Sequence, residues 1–227
     1  MRIDILTLFP EMFSALNSSI LKNAQESNLI KINYVDIRNF STNKHKKVDD
    51  YTYGGGAGMV MAAQPIYDAI KSVQTKDSYT IYMSPSGNVL KQKKVLSIAQ
   101  NIKHLIILCG HYEGVDQRVI DLCVDEEISI GDYVLTGGEI PAMVLVDSIS
   151  RHIKGVLGSS ESIEDESFSN GLLEYPHYTR PEVFKSMRVP DVLLSGHHEK
   201  INKWRKEKSI EKTKKNRPDL LGEKYED

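Results

Sequence analysis

Residues 129–143 read SIGDYVLTGGEIPAM. Three glycines, a proline, a tyrosine and two acids stand between a β-like run over 123–130 (CVDEEISI) and an apolar helical pattern over 140–153. A tight turn needs one glycine. Three glycines and a proline describe a backbone shaped to approach something that is not protein. The unit is a strand, a special loop and a helix, which is the building block of a parallel α/β sheet.

The same alternation extends back to the start of the chain. Runs over 2–8 (RIDILTL), 30–36 (IKINYVD), 79–83 (YTIYM) and 104–109 (HLIILC) read as strands. Helical spacing follows Pro10 at Met12, Phe13, Leu16, Ile20 and Leu21, and follows Pro65 at Ile66, Tyr67, Ile70 and Val73. It recurs at Val95, Leu96 and Ala99. The expected fold is a mostly parallel sheet with helices on both faces. Ligands of such sheets sit beyond the carboxyl ends of the strands. That rule selects three loops, 84–87 (SPSG), 110–114 (GHYEG) and 131–138 (GDYVLTGG). Each alone is ordinary turn chemistry; three in succession suggest one small molecule held by main-chain groups.

Residues 39–59 form a different loop, with Lys44, His45, Lys46 and Lys47 ahead of YGGGAGM. Plain glycine flexibility and a mobile, phosphate-tolerant cover are both open readings. No G-K-[ST] follows and the G-x-G-x-x-G spacing is missing, so neither nucleotide fingerprint applies. H-E-x-x-H, G-x-S-x-G and C-x-x-C are also missing from the sequence.

The 227 residues are 40% hydrophobic and 26% charged, as in ordinary globular chains. No apolar run approaches the roughly 20 residues of a membrane span. The opening MRIDILTLFPEMF does not read as a signal peptide, and Cys109 and Cys123 read as buried free thiols, so a cytoplasmic location is expected. The net charge is −2, but it is unevenly spread. Residues 197–217 hold nine Lys/Arg against three Glu. That segment suits phosphates, or else is a solvated helix face laced with ion pairs. Before it, 155–171 is polar, Ser-rich and acidic. The expected organisation is a ligand-binding α/β domain over 1–157, a flexible acidic linker over 158–171 and a helical domain over 172–227.

Together the motifs carry a resemblance over nearly the whole chain. RIDILTLFPEMF, YGGGAGM, SPSG, CGHYEGVDQR, SIGDYVLTGGEIPAM, DSISRHIKGVLG, ESFSNGLLEYPHYTRPEVF, VPDVLLSGHHEKINKWR and RPDLL stand in order. The sequence resembles the bacterial tRNA (guanine-N1)-methyltransferases, the TrmD family of the SPOUT superfamily. The resemblance implies a deep trefoil knot in the α/β domain, although knots are rare in general. It implies methyl transfer from S-adenosylmethionine to N1 of guanine 37 in tRNA, by a homodimer whose subunits share each active site. Magnesium is associated with the family's activity, but no metal-ligand spacing here supports a dedicated site. The three loops would form the knot and hold the cofactor. The implied contacts are Met83, Ser84, Pro85 and Gly87, then Gly110, Tyr112, Glu113 and Gly114. From the third loop they are Ser129, Ile130, Gly131, Tyr133, Leu135, Gly137, Gly138 and Pro141, with Tyr133 equally readable as a core tyrosine.

Guanine N1 carries a proton at neutral pH, so the acceptor needs a base at N1 and a cation near O6. Counting back from the Ser-Phe of the linker, the family's catalytic aspartate falls on Glu166. The chain departs from the usual Asp-Ser-Phe there, and Asp165 is the alternative. Arg151, in DSISRHIKG, matches the family's arginine near the reacting guanine. His111 stands where CGRYEG has arginine. The helical domain would grip the anticodon arm through Lys203, Arg205 and Lys206. His177, Tyr178 and Arg180 either contact RNA or pack the hinge. A ribose 2′-O-methyltransferase of the same superfamily and a non-catalytic tRNA-binding protein are the rival readings.

Overall fold

The computed structural model describes residues 1–157 and 166–221. The chain divides into two compact units, Met1–Gly158 and Ser159–Asp227. In the first unit, strands β1 (Arg2–Thr7), β2 (Lys31–Asp36), β5 (Ser78–Val89), β6 (His104–Cys109) and β7 (Glu126–Ser129) form one sheet. Its order is β2-β1-β6-β5-β7, and every pairing is parallel. All six residues of β6 are buried, as expected of a central strand covered on both faces.

Alternate side chains feed two cores. Ile3, Ile5, Ile81, Met83, Leu105 and Ile107 face one side with α3 (Gln92–Asn101) and α5 (Glu139–Ser150), through Val95, Ile98, Leu145 and Ile149. Leu6, Tyr82, Ile106 and Leu108 face the other with α2 (Ala63–Val73) and α4 (Gln117–Cys123), through Ile66, Ile70, Val119 and Cys123. At the amino end of the strands, buried Asp4 is satisfied by Arg2, Asn33 and His104. No described helix is long and apolar enough to cross a membrane.

Four details differ from the sequence expectation. The strand over 79–83 does not stop there. It loops out four residues and resumes, so that Met83 and Asn88 both pair with Ile128. The run over 123–130 loses its first residue to α4, whose Asp116 cap accepts a hydrogen bond from the Arg118 N–H. The first helical pattern splits at extended Ser18 into a 3-10 turn, Pro10–Asn17, and α1 (Ser19–Glu26). Finally, the 39–59 loop holds a short antiparallel pair, β3 (Asp49–Tyr51) and β4 (Met59–Met61). β4 bonds to the loop after β6: Glu113 N–H donates to Met59 O, and Met61 N–H to Gly114 O.

The second unit contains the hairpin β8 (Val183–Phe184) and β9 (Met187–Arg188), the short helix α6 (Asp191–Leu194) and the 19-residue helix α7 (His198–Asn216). The basic segment is one long helix. Its buried residues are Ser209 and Thr213, not an apolar stripe.

Candidate functional site

At the carboxyl ends of β5, β6 and β7 the three loops close around one cavity of about 420 Å³. Its walls include Met83, Ser84 and Pro85 from the first loop and Gly110, Tyr112, Glu113 and Gly114 from the second. The third contributes Ser129, Ile130, Gly131, Tyr133, Leu135, Gly137, Gly138 and Pro141. The topology explains the convergence, since β5 lies between β6 and β7 and all three run the same way.

Gly87 stands apart from the other predicted contacts. It does not line the cavity. A Cβ there would lie under 3.0 Å from the backbone of Glu127 and Ile128. Its role is to let the looped-out part of β5 pass over β7. Gly138 has a similar reason at the cavity wall: a Cβ would meet Cys109 Cα at 2.8 Å and Gly110 N at 2.9 Å. The contact it permits is the Gly138 N–H donating to Gly110 O at 2.8 Å, which joins the second and third loops. Tyr133 is more than half exposed, packs on Gly131 and donates its hydroxyl to Ile130 O at 3.3 Å. It is a cavity wall, not a core residue.

Tyr82, Glu127, Gln117 and Thr136 line the cavity too, and the sequence reading missed them. Glu127 had a signal, as an acid in a strand of a buried sheet. Burial, reinforced by the negative charge of Glu127, pushes the Tyr82 phenol up to about 12, so it stays a neutral donor. Burial, reinforced by Glu139, holds the Cys109 thiol protonated. Glu139 is buried at the start of α5 and accepts the Thr7 hydroxyl at 2.8 Å. His111 Nδ1 lies 3.9 Å from its other oxygen, and the His111 ring packs on Phe9. Among the described residues no group of three or more His, Cys, Asp or Glu could hold a metal ion.

Arg151 caps α5 at the end away from the cavity and is not among its walls. Asp165 lies outside the described residues. Glu166 begins the described part of the second unit, with its carbonyl accepting the Ser169 N–H at 3.1 Å. The predicted RNA contacts separate. Lys203 and Lys206 are exposed on α7, and Arg180 is exposed in the segment before β8. Arg205 instead stacks on Tyr175, with its guanidinium 4.9 Å from the ring centre. His177 pairs with Glu174 at 2.7 Å, and Tyr178 packs near Trp204.

A profile of the family described as tRNA (guanine-1)-methyltransferase TrmD matches residues 1–223. The chain belongs to the TrmD family. A relative from Carboxydothermus hydrogenoformans, named tRNA (guanine-N(1)-)-methyltransferase, is 58% identical over 222 residues, covering 97% of this chain and 87% of its own length. One from Clostridioides difficile with the same name is 56% identical and covered to 97% on both sides. One from Endomicrobium trichonymphae is 55% identical, covering 97% of this chain and 99% of its own. The family match spans nearly the whole sequence, and the parallel α/β architecture of the first unit agrees with it.

Proposed function

We propose that the chain moves a methyl group from S-adenosylmethionine to N1 of guanine 37 in tRNA, acting as a homodimer in the cytoplasm. The observation that carries this reading is the closure of three glycine-containing loops on one cavity, in a chain of the TrmD family. The residues suit the group. The volume is in the range of small-molecule sites. Gly110, Gly137 and Gly138 let a flat ring approach main-chain groups. The Glu113 and Glu127 carboxylates favour a cationic sulfur.

When bound, S-adenosylmethionine supplies an electrophilic methyl carbon on a sulfonium. The protein's part is alignment and treatment of the acceptor. Glu166 would take the N1–H proton; the electron pair left on N1 would form the new bond to the methyl carbon as the methyl–sulfur bond breaks, its pair going to sulfur, which leaves as the neutral thioether of S-adenosylhomocysteine. Arg151 offsets the negative charge that gathers on O6. Glu carries one methylene more than the family's Asp, so its reach differs by one bond. Arg151 ends a twelve-residue helix about 18 Å long that begins at the cavity wall. A second copy of the chain is the source of an arginine at the reacting base, which is what supports the dimer.

Labelled methyl donor and tRNA transcripts with G or A at position 37 test this. Label only on N1 of G37 is the expected result. Label on a ribose, or tight binding without transfer, turns the reading to its rivals. Glu166→Gln should lose methyl transfer by about 100-fold or more while still binding S-adenosylhomocysteine.

A further inference from the structure

The segment that begins with Glu166 folds into a small platform. Phe168 N–H donates to Leu172 O at 2.8 Å, and Glu174 N–H donates to Ser167 Oγ at 3.0 Å. With the Glu166 carbonyl bonded to Ser169, residues 166–174 form one closed loop. Phe168 sits at φ +75°, a conformation a bulky residue keeps only where its surroundings impose it.

The loop is tied to α7. Thr213 is fully buried. Its Oγ1 accepts the Leu173 N–H at 2.9 Å and donates to Ser209 O at 2.6 Å. Lys212 Nζ donates to Glu174 O at 3.0 Å. Just past the helix, Arg217 makes two hydrogen bonds to Asp219 and lies 6.0 Å from the centre of the Phe168 ring. A helix that buries hydroxyls instead of apolar side chains gains little from the hydrophobic effect. A valine would fill the Thr213 site equally well but would leave the Leu173 N–H without an acceptor.

We propose that Thr213 is a positioning residue for methyl transfer. By holding Leu173 it fixes the 166–174 platform and, with it, the Glu166 carboxylate. The helix whose exposed lysines suit phosphates then also sets the base, so RNA capture and base placement share one element. The inference rests on the reading of Glu166 as the base.

The test is single-turnover methyl transfer by the full-length protein with tRNA and S-adenosylmethionine saturating. Thr213→Val should slow the step about tenfold, as expected when a base is misplaced without being lost. Affinities for tRNA and S-adenosylhomocysteine should stay within about twofold, because the groups that hold them are untouched. Thr213→Ser restores the acceptor and should recover the rate. In Glu166→Gln, adding Thr213→Val should slow the step no further, because both act on one group. A wild-type rate in Thr213→Val overturns the inference, and so does a full extra tenfold loss in the double variant. So does a loss of tRNA affinity as large as the loss of rate that serine fails to rescue. A wild-type rate in Glu166→Gln removes the base reading as well, so the two failures are distinct. Should Thr213→Val not fold, Arg217→Met removes the guanidinium over Phe168, with Asp219→Asn as the control for the Asp219 pair lost with it, and carries the same comparison, with a loss of about threefold.

Discussion

The cavity of the first unit and the 166–174 platform of the second are held by different means. Around the cavity, loops meet through main-chain groups: Gly138 N–H on Gly110 O, Glu113 N–H on Met59 O, and Met83 and Asn88 both opposite Ile128. At the platform, side chains of one helix hold an irregular segment: Thr213 on Leu173, Lys212 on Glu174, Arg205 on Tyr175. Backbone walls on a parallel sheet give a fixed shape with little room for an added atom. Side-chain ties are individually weak and can be loosened one at a time. The first arrangement suits a cofactor of constant shape. The second suits a group that must meet a large, flexible RNA.

The largest effect should come from breaking the first kind of wall. Gly87→Ala and Gly138→Ala each force a Cβ against backbone atoms that cannot swing aside. Each should cost about 3 kcal/mol by urea unfolding. Gly138→Ala should also weaken S-adenosylhomocysteine binding more than tenfold by titration calorimetry, since it parts the second and third loops. Gly55→Ala, at φ +81° but with nothing within 4 Å, should cost only about 1 kcal/mol, the price of the left-handed conformation alone. If Gly138→Ala bound the ligand normally, the cavity would not be shaped by that approach.

The strands and the three cavity loops were legible in the sequence because a parallel sheet leaves a simple trace. HLIILC is buried at every position, and RIDILT and YTIYM alternate between two cores. Gly87 was legible as special, but its close approach to Glu127 and Ile128 was not, since that strand lies far away in sequence. The helix QRVIDLC was missed because Val119 and Cys123 are its only buried positions, too few to show a period. The platform was hidden for a deeper reason. Its anchors, Thr213 and Arg205, sit in a segment whose composition reads as a charged, solvated helix. Only the fold reveals which face of that helix is occupied.

The second comparison divides α7 itself. Lys203→Ala and Lys206→Ala should leave the melting temperature unchanged, because both side chains are exposed. Each should reduce the slope of log K against log salt for tRNA by about 1 unit. Arg205→Ala should do the reverse. Its guanidinium stacks on Tyr175, so about 1 kcal/mol of stability should go, with little change in slope. An Arg205 variant that behaved like the lysine variants would mean that stacking and phosphate contact are not exclusive.

The smallest effect tests whether the edge of the cavity is held by charge or by capping. Asp116 accepts from the Arg118 N–H at 3.0 Å and takes two further bonds from the Arg118 side chain. Those bonds hold its carboxyl below the usual carboxylate range. A lowered folded value adds stability that is fully present above the unfolded value of about 3.9 and is lost as pH falls below it. Asp116→Asn keeps a cap and loses the charge, so its deficit at pH 7 should be under about 1 kcal/mol and should shrink as the pH falls through the folded value. Asp116→Ala loses both and should be about 1 kcal/mol less stable at pH 7, with part of that deficit persisting in acid. Urea midpoints at pH 7 and pH 3 separate the two. Equal deficits for Asn and Ala at pH 7 would make the ion pair, not the cap, what fixes the start of α4. The turn after Gly114 would then loosen in acid, whereas the purely backbone junction at Gly138 would not.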